Sequence, residues 1–250
     1  NDLLGTDKGS KTSALIEYAA QEERITQLLQ QLYSLVAATP EDQVPSQVIR
    51  ELERFKEMSA EDLTADFGSD AETRFETHYV YQVLGSGDLL LDVTVEPSKN
   101  LPPLPRIGIR ATLPAGHEVM TWYRRGPQES YVDRKQGARY GVYTGGVSEQ
   151  HVPYVVPQEN GNKTDVRWVA LRREEGDGLL VVAKEPLEVS AHHLTAEDLT
   201  AAEHTFELPR RDDVTLNIDY RQGGLGNGSC GPGTLPQYLL QPEPAGFAMR

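Results

Sequence analysis

The chain has 250 residues, 38% of them hydrophobic and 25% charged, which allows a sizeable core and argues against a largely disordered polymer. Its 38 acids outnumber its 24 bases for a net charge of −14, a field that repels phosphate backbones and removes nucleic acid from the expected partners. No run of about 18 apolar residues offers a membrane-spanning helix, and the single cysteine, Cys230, excludes an intrachain disulfide and a cysteine zinc site.

The chain starts at Asn1 without a basic-then-apolar leader and stops at a strand-like Phe247-Ala248-Met249-Arg250, so it reads as a piece of a longer polypeptide. Composition changes near residue 70. Residues 1–70 hold 3 of the 22 glycines and 2 of the 16 prolines, with 14 acids against 6 bases. Leu15, Tyr18, Ile25, Leu28, Leu32 and Leu35 recur mostly at three- and four-residue steps, which predicts a helix over 11–38 that Ser10 or Thr12 can cap. Pro40 and Pro45 end it, and Val48, Ile49, Leu52 and Phe55 begin a second apolar face running to about residue 58. A helical hairpin packed on its own domain is more economical than a coiled coil of three short heptads.

From Arg74 the period becomes two. Phe75, Thr77, Tyr79 and Tyr81 alternate with their neighbours, Gly85-Ser86-Gly87-Asp88 turns the chain, and Leu89 to Val95 returns, which predicts a hairpin. Further strands are predicted over 106–113, 118–124, 166–171, 179–183, 187–189, 204–208 and 214–220, punctuated by Gly and Pro. Thr195-Ala196-Glu197-Asp198 carries a capping box with Asp in place of Glu and predicts one short helix. So many short strands with so little helix predict a mainly β fold of antiparallel sheets, with a helical segment over 1–70 and a β-sandwich domain over 71–250.

Three loops combine Gly, Pro and polar residues: Arg125 to Arg134, Val152 to Asn162 and the glycine-rich Gln222 to Gly233. Within them lie Gly126-Pro127-Gln128-Glu129-Ser130-Tyr131-Val132-Asp133-Arg134 after Trp122-Tyr123, Pro153-Tyr154-Val155-Val156-Pro157-Gln158-Glu159-Asn160-Gly161, and Asn217-Ile218-Asp219 before the glycine-rich loop. In these ordered motifs the chain resembles the C-terminal, small-chain domain of the β-galactosidases of glycoside hydrolase family 2, from about Thr73 to Arg250. Residues 1–70 do not resemble the usual opening of that domain.

The resemblance implies an antiparallel β-supersandwich like that of galactose mutarotase, in an enzyme that hydrolyses terminal β-galactosides with carboxylates on a separate barrel. It implies a non-catalytic domain, inactive alone and without a cofactor, that completes the sugar site and supports oligomer contacts. Its partners would be the catalytic barrel domain or large subunit and the galactoside, in the cytoplasm. The family presents a Trp from its glycine-rich loop beside the acceptor sugar. Here Cys230 takes that position in a loop one residue shorter, and Asn227, Ser229 and Cys230 become the candidate sugar-side residues. Losing an indole platform removes roughly 40 Å² of apolar contact, worth about 1 kcal/mol.

The residues themselves offer no catalytic set. Glu129, Asp133, Glu159 and Asp219 are the local acids, but nothing pairs two of them as retaining hydrolysis requires, and turn-holding roles explain them better. His192 and His193 would point to opposite faces of a strand, which makes them poor co-ligands, and no metal site is expected. His151 is the better lone candidate for a general base. Trp122 and Trp168 lie in strand-like runs and read as core. Gly224-Leu225-Gly226-Asn227-Gly228-Ser229 lacks the terminal Gly-Lys-Ser/Thr of a phosphate loop. Two rival functions remain: a mutarotase-like aldose epimerase and a stand-alone carbohydrate-binding module, the latter poorly served by a chain with 7% aromatics.

Overall fold

A computed structural model describes residues 65–66 and 74–250, apart from residue 175 and residues 228–230. The helices predicted over 11–38 and 48–58 lie outside the described residues. The chain divides into two compact units, Asn1–Leu101 with Pro242–Gly246, and Pro102–Gln241 with Phe247–Arg250. The fold is mainly antiparallel β, the class expected from the sequence.

In the first unit, β1 (Ala65–Asp66) pairs with β2 (Phe75–Val83), and β2 pairs with β3 (Leu89–Pro97) in nine successive registers from Phe75 opposite Pro97 to Val83 opposite Leu89. This is the predicted hairpin. Its pattern follows the pleat: Leu91, Val93 and Val95 are buried while Asp92, Thr94 and Glu96 are exposed.

The second unit holds β4 (Arg106–Leu113), β5 (Val119–Gly126), β6 (Arg139–Gly146), β7 (Lys163–Arg172), β8 (Gly178–His192) and β9 (Val214–Gln222). Antiparallel pairings run β4 to β9, β9 to β8, β8 to β7, β7 to β5 and β5 to β6. The last strand, β10 (Ala245–Met249), sets Met249 opposite Ala183 of β8. One face of β5, β7 and β8 buries Met120, Trp122, Val169, Leu171 and Val181, and β8 and β9 add Leu187, Val189, Val214, Leu216 and Ile218. Burying each such side chain stabilises the unit by roughly 1.5–3 kcal/mol.

Three strand expectations change. Residues 179–183 and 187–189 belong to one 15-residue strand, because β7 accommodates the Pro186 region through register shifts between Lys163 and Val166 and between Val166 and Trp168. Residues 204–208 are not a strand: Thr205–Glu207 is a 3-10 turn in which the Glu207 carboxylate accepts from the N–H groups of Glu203 and His204 at 2.8 and 3.1 Å. Phe206 there is 82% exposed, so no burial compensates for an extended alternative. Strand β6 was not predicted, since its glycines 141, 145 and 146 read as loop. Gly141 and Gly145 leave room for Tyr143, Glu149 and Gln150.

The short helix α1 (Ala196–Ala201) begins with the predicted capping box: Thr195 accepts from the Asp198 N–H at 3.2 Å and Asp198 accepts from the Thr195 N–H at 2.9 Å. Arg211 grips the same carboxylate at 2.6 and 2.8 Å and, with these backbone bonds, holds its pKa down to about 2. That depressed value makes Asp198 stabilising above a carboxylate's ordinary pKa and progressively less so as pH falls toward 2. Asp198→Asn should cost about 1 kcal/mol at pH 7, after discounting for the half-exposed Arg211, and nothing near pH 2. Urea melts at both pH values measure this, and equal losses at the two would contradict it.

Candidate functional site

The three motif loops lie far apart in sequence and meet in the second unit. β5 delivers the first motif, where Glu129 accepts from the Gly161 N–H at 2.8 Å and from the Tyr154 hydroxyl. Those two contacts bind the first motif to the second. Backbone bonds add to the join: the Ser130 N–H donates to the Asn162 carbonyl at 2.7 Å, and the Asn162 amide returns to the Ser130 carbonyl at 3.0 Å. Gly161 is required here, with φ +75° and a Cβ position 2.6 Å from the Gln150 carbonyl oxygen.

Asp133 and Arg134 then hold the glycine-rich loop. The Asp133 carboxylate accepts from the N–H groups of Gly226 at 2.8 Å and Leu225 at 3.3 Å, while Arg134 donates to the Gly226 carbonyl at 2.9 Å. From the other side Thr234 donates to the Gly224 carbonyl at 2.7 Å. Charge-assisted bonds of this kind contribute about 1.5–3 kcal/mol each, so the start of the loop at Gly224 to Gly226 is tightly specified. Gly226 has φ +63°, and a Cβ there would sit 2.5 Å from the Thr234 nitrogen. A cavity of about 740 Å³ opens beside this clamp, lined by Arg125, Asp133, Arg134, Lys135 and Tyr238.

Beneath the loops, Arg106 at the start of β4 joins the second motif to β9. Its guanidinium donates to Asp219 at 3.2 and 2.5 Å and to Glu159 at 3.1 Å. Burial opposes the Arg106 charge, but Asp219 and Glu159 outweigh it and raise its pKa. Gln222 donates to Asp219 at 2.9 Å, and the Asn162 amide donates to Glu188 at 2.8 Å. Burial pushes Glu188 up to about 7. Glu129, Glu159, Glu188 and Asp219 thus hold the fold, and none of them lines either cavity described here.

The candidate sugar-side residues fare differently. Asn227 is exposed in the glycine-rich loop, donating its N–H to the Pro232 carbonyl at 3.0 Å and accepting from the Gly231 N–H at 2.6 Å. Ser229 and Cys230 lie outside the described residues. Trp122 is core at 1% exposure, with Lys163 over its ring at 5.2 Å. Trp168 instead lies half-buried on the outer face of the sheet, stacked on Tyr123 at 6.4 Å.

The histidines gather at a second cavity of about 540 Å³, whose lining includes Glu118, His151, His192, His193, Arg210 and Arg211. His193 contacts Glu118 at 2.9 Å and the Asp213 carbonyl at 3.1 Å. His192 donates from Nε2 to the Asn160 carbonyl at 2.9 Å and meets the His151 ring edge-on at 6.2 Å. Burial lowers the His151 pKa and takes that of His192 down to about 4. Among the described residues, no group of three or more His, Cys, Asp or Glu is placed to hold a metal ion.

Sequence reasoning identified the loops and missed what joins them. Arg106, Lys163 and Glu188 sit in ordinary strand-like runs with no local signal to mark them, and Asn162, at the end of the second loop, carries no signal of its role as a junction. Arg106 meets Asp219 across 113 positions of sequence.

A family model described as the β-galactosidase small chain matches residues 10–250. The chain belongs to this small-chain family. Among its relatives, a β-galactosidase of Priestia megaterium is 38% identical over 164 residues, covering 65% of this chain and 16% of its own. One of Arthrobacter sp. (strain B7) is 35% identical over 174 residues, covering 67% and 17%. One of Vibrio vulnificus is 28% identical over 187 residues, covering 74% and 17%. The small-chain sequence described here therefore spans about a sixth of the length of these relatives.

Two outcomes are expected. Arg106→Leu leaves the buried Asp219 and the part-buried Glu159 without their cation and should destabilise the domain by about 3 kcal/mol, measured by urea unfolding; a loss under 1 kcal/mol would show the cation is dispensable. His192 behaves as a group of lowered pKa: the unfolded imidazole binds a proton that the folded ring refuses, so its contribution is intact above about 6.5 and falls as pH drops toward 4. His192→Gln should flatten the stability profile in that window by up to about 3 kcal/mol, and an unchanged slope would contradict the assignment.

Proposed function

We propose that this chain is the non-catalytic small-chain domain of a multidomain β-galactosidase, where it positions its glycine-rich loop at the acceptor side of the sugar site and supports assembly. The clamp on that loop carries the reading: Asp133 and Arg134 take three backbone groups of Leu225 and Gly226. Holding the loop firmly at Leu225 and Gly226 suits a surface presented to a ligand, since a site must be held by its supporting contacts. The local carboxylates support the same view, because Glu159 and Asp219 are spent on Arg106 and Glu129 on Tyr154 and Gly161. Hydrolysis falls to carboxylates on a barrel elsewhere in the polypeptide or in a large subunit, with the assembled enzyme in the cytoplasm, an oligomer acting on terminal β-galactosides.

The supersandwich assignment and the acceptor-side role of Asn227, Ser229 and Cys230 rest on the family resemblance. Cys230 offers a smaller apolar surface than the Trp that this resemblance implies at the same place in the loop.

The isolated 250-residue chain should release no nitrophenol from a chromogenic galactoside, and release at an enzyme-like rate would overturn the reading. In the whole enzyme, Cys230→Trp should tighten acceptor binding about fivefold, the equivalent of about 1 kcal/mol, in a transglycosylation assay; unchanged acceptor affinity would remove the loop from the sugar site.

A further inference from the structure

A solvated antiparallel sheet ordinarily alternates apolar residues inward with polar residues outward. The outer face of β6, β5, β7 and β8 departs from this. Two cross-strand rows run over all four strands, Val142, Tyr123, Trp168 and Val182 in one, and Thr144, Thr121, Ala170 and Leu180 in the next. Six of these eight positions are apolar. Val142 is 62% exposed, Leu180 56%, Val182 40% and Tyr123 38%, while the inward face of the same strands buries Met120, Trp122, Val169 and Leu171. The rows make one contiguous surface, with Tyr123 stacked on Trp168 and the Thr121 and Thr144 hydroxyls 3.0 Å apart.

Strand spacing and rise give the two rows a footprint of roughly 300 Å², comparable to the largest apolar patch on a typical monomer, which is often functional, and the size of the centre, not the whole, of a standard interface. The ends of the rows are cationic. Arg172 follows Ala170 on the same side of β7, Lys184 follows Val182 on β8, and Tyr140 of β6 lies under Arg124 and Arg125, each 4.7 Å from its ring, Arg125 being ion-paired with Asp165 at 2.6 Å. Neither row contains a carboxylate, in a chain whose net charge is −14. A two-fold contact between copies would set this cationic rim against itself. Among the described residues β6 pairs with β5 alone, which leaves its far edge open beside the patch.

We infer that this face docks on the portion of the β-galactosidase polypeptide outside residues 1–250, at an apolar surface rimmed by carboxylates. The inference rests on the reading under Proposed function. Relatives of this chain devote only 15–17% of their length to the matching segment, so the covering polypeptide is the larger part of the enzyme. Apolar rows meet an apolar centre, and Arg172 and Lys184 meet acids at its rim.

The test uses the whole enzyme with a benzophenone amino acid at Val142. Irradiation should join position 142 to a peptide outside residues 1–250, and Val142→Glu should raise hydroxyl-radical labelling of Tyr123 and Trp168 at least fivefold, with Val142→Lys raising it less. A crosslink within residues 1–250, or none with Tyr123 and Trp168 already labelled at solvent-exposed rates, would overturn the docking. An enzyme that hydrolyses galactosides yet shows either result refutes the docking alone; one that hydrolyses none refutes the functional reading and the docking together.

Discussion

Arg106 brings a permanent positive charge into the interior of the larger unit, where Asp219 and Glu159 divide its guanidinium between them. Each charge alone would carry a desolvation penalty of several kcal/mol, and together they offset it only because the geometry is fixed by β4, β9 and the second motif loop. From Asp219 the polar network continues through Gln222 to Asn162, and from Asn162 to Glu188 and Ser130. The first motif is reached in this way through buried side chains. Asp133 and Arg134, at the outer end of the first motif, carry this support to Leu225 and Gly226 of the glycine-rich loop, while Thr234 holds Gly224 from the other side.

A buried polar network of this density trades some stability for a single arrangement. An apolar core under the same loops would pack as well but would allow them to shift, since apolar contacts have no direction. Hydrogen bonds do. The backbone groups of Gly226 and Leu225 are met by an acid and a base at set positions, so the chain is held in one conformation at those two residues.

The sheet that carries the motifs has two apolar faces. Its inner one, around Trp122, Met120 and Leu171, holds the domain together, and its outer one, around Tyr123, Trp168 and Leu180, faces solvent. Strands in a freely solvated domain gain nothing from the second face and incur an aggregation hazard along β6. That pattern suits a domain made to be part of something larger, in agreement with the sixth of the relatives' length that it spans.

Local chemistry was enough to read the antiparallel β class, the hairpin of β2 and β3, strand β4 to its ends, the capped helix at Thr195 and the three loops that meet at the site. Period-two alternation, Gly and Pro punctuation and a hydroxyl with an acid three residues on are all decided within a few positions of the chain. The turn over 204–208 is also local, closed by Glu207 on the N–H groups of Glu203 and His204, although alternation in the sequence favours a strand there. Tertiary structure alone decided that Arg106 would be the hub, that His192 would be neutral against Asn160, and that Trp168 would face outward while Trp122 lies inside. Those outcomes depend on which groups arrive from distant parts of the chain, 113 positions away for Arg106 and 32 for His192, and on the water they exclude, and neither is written in any short stretch of sequence.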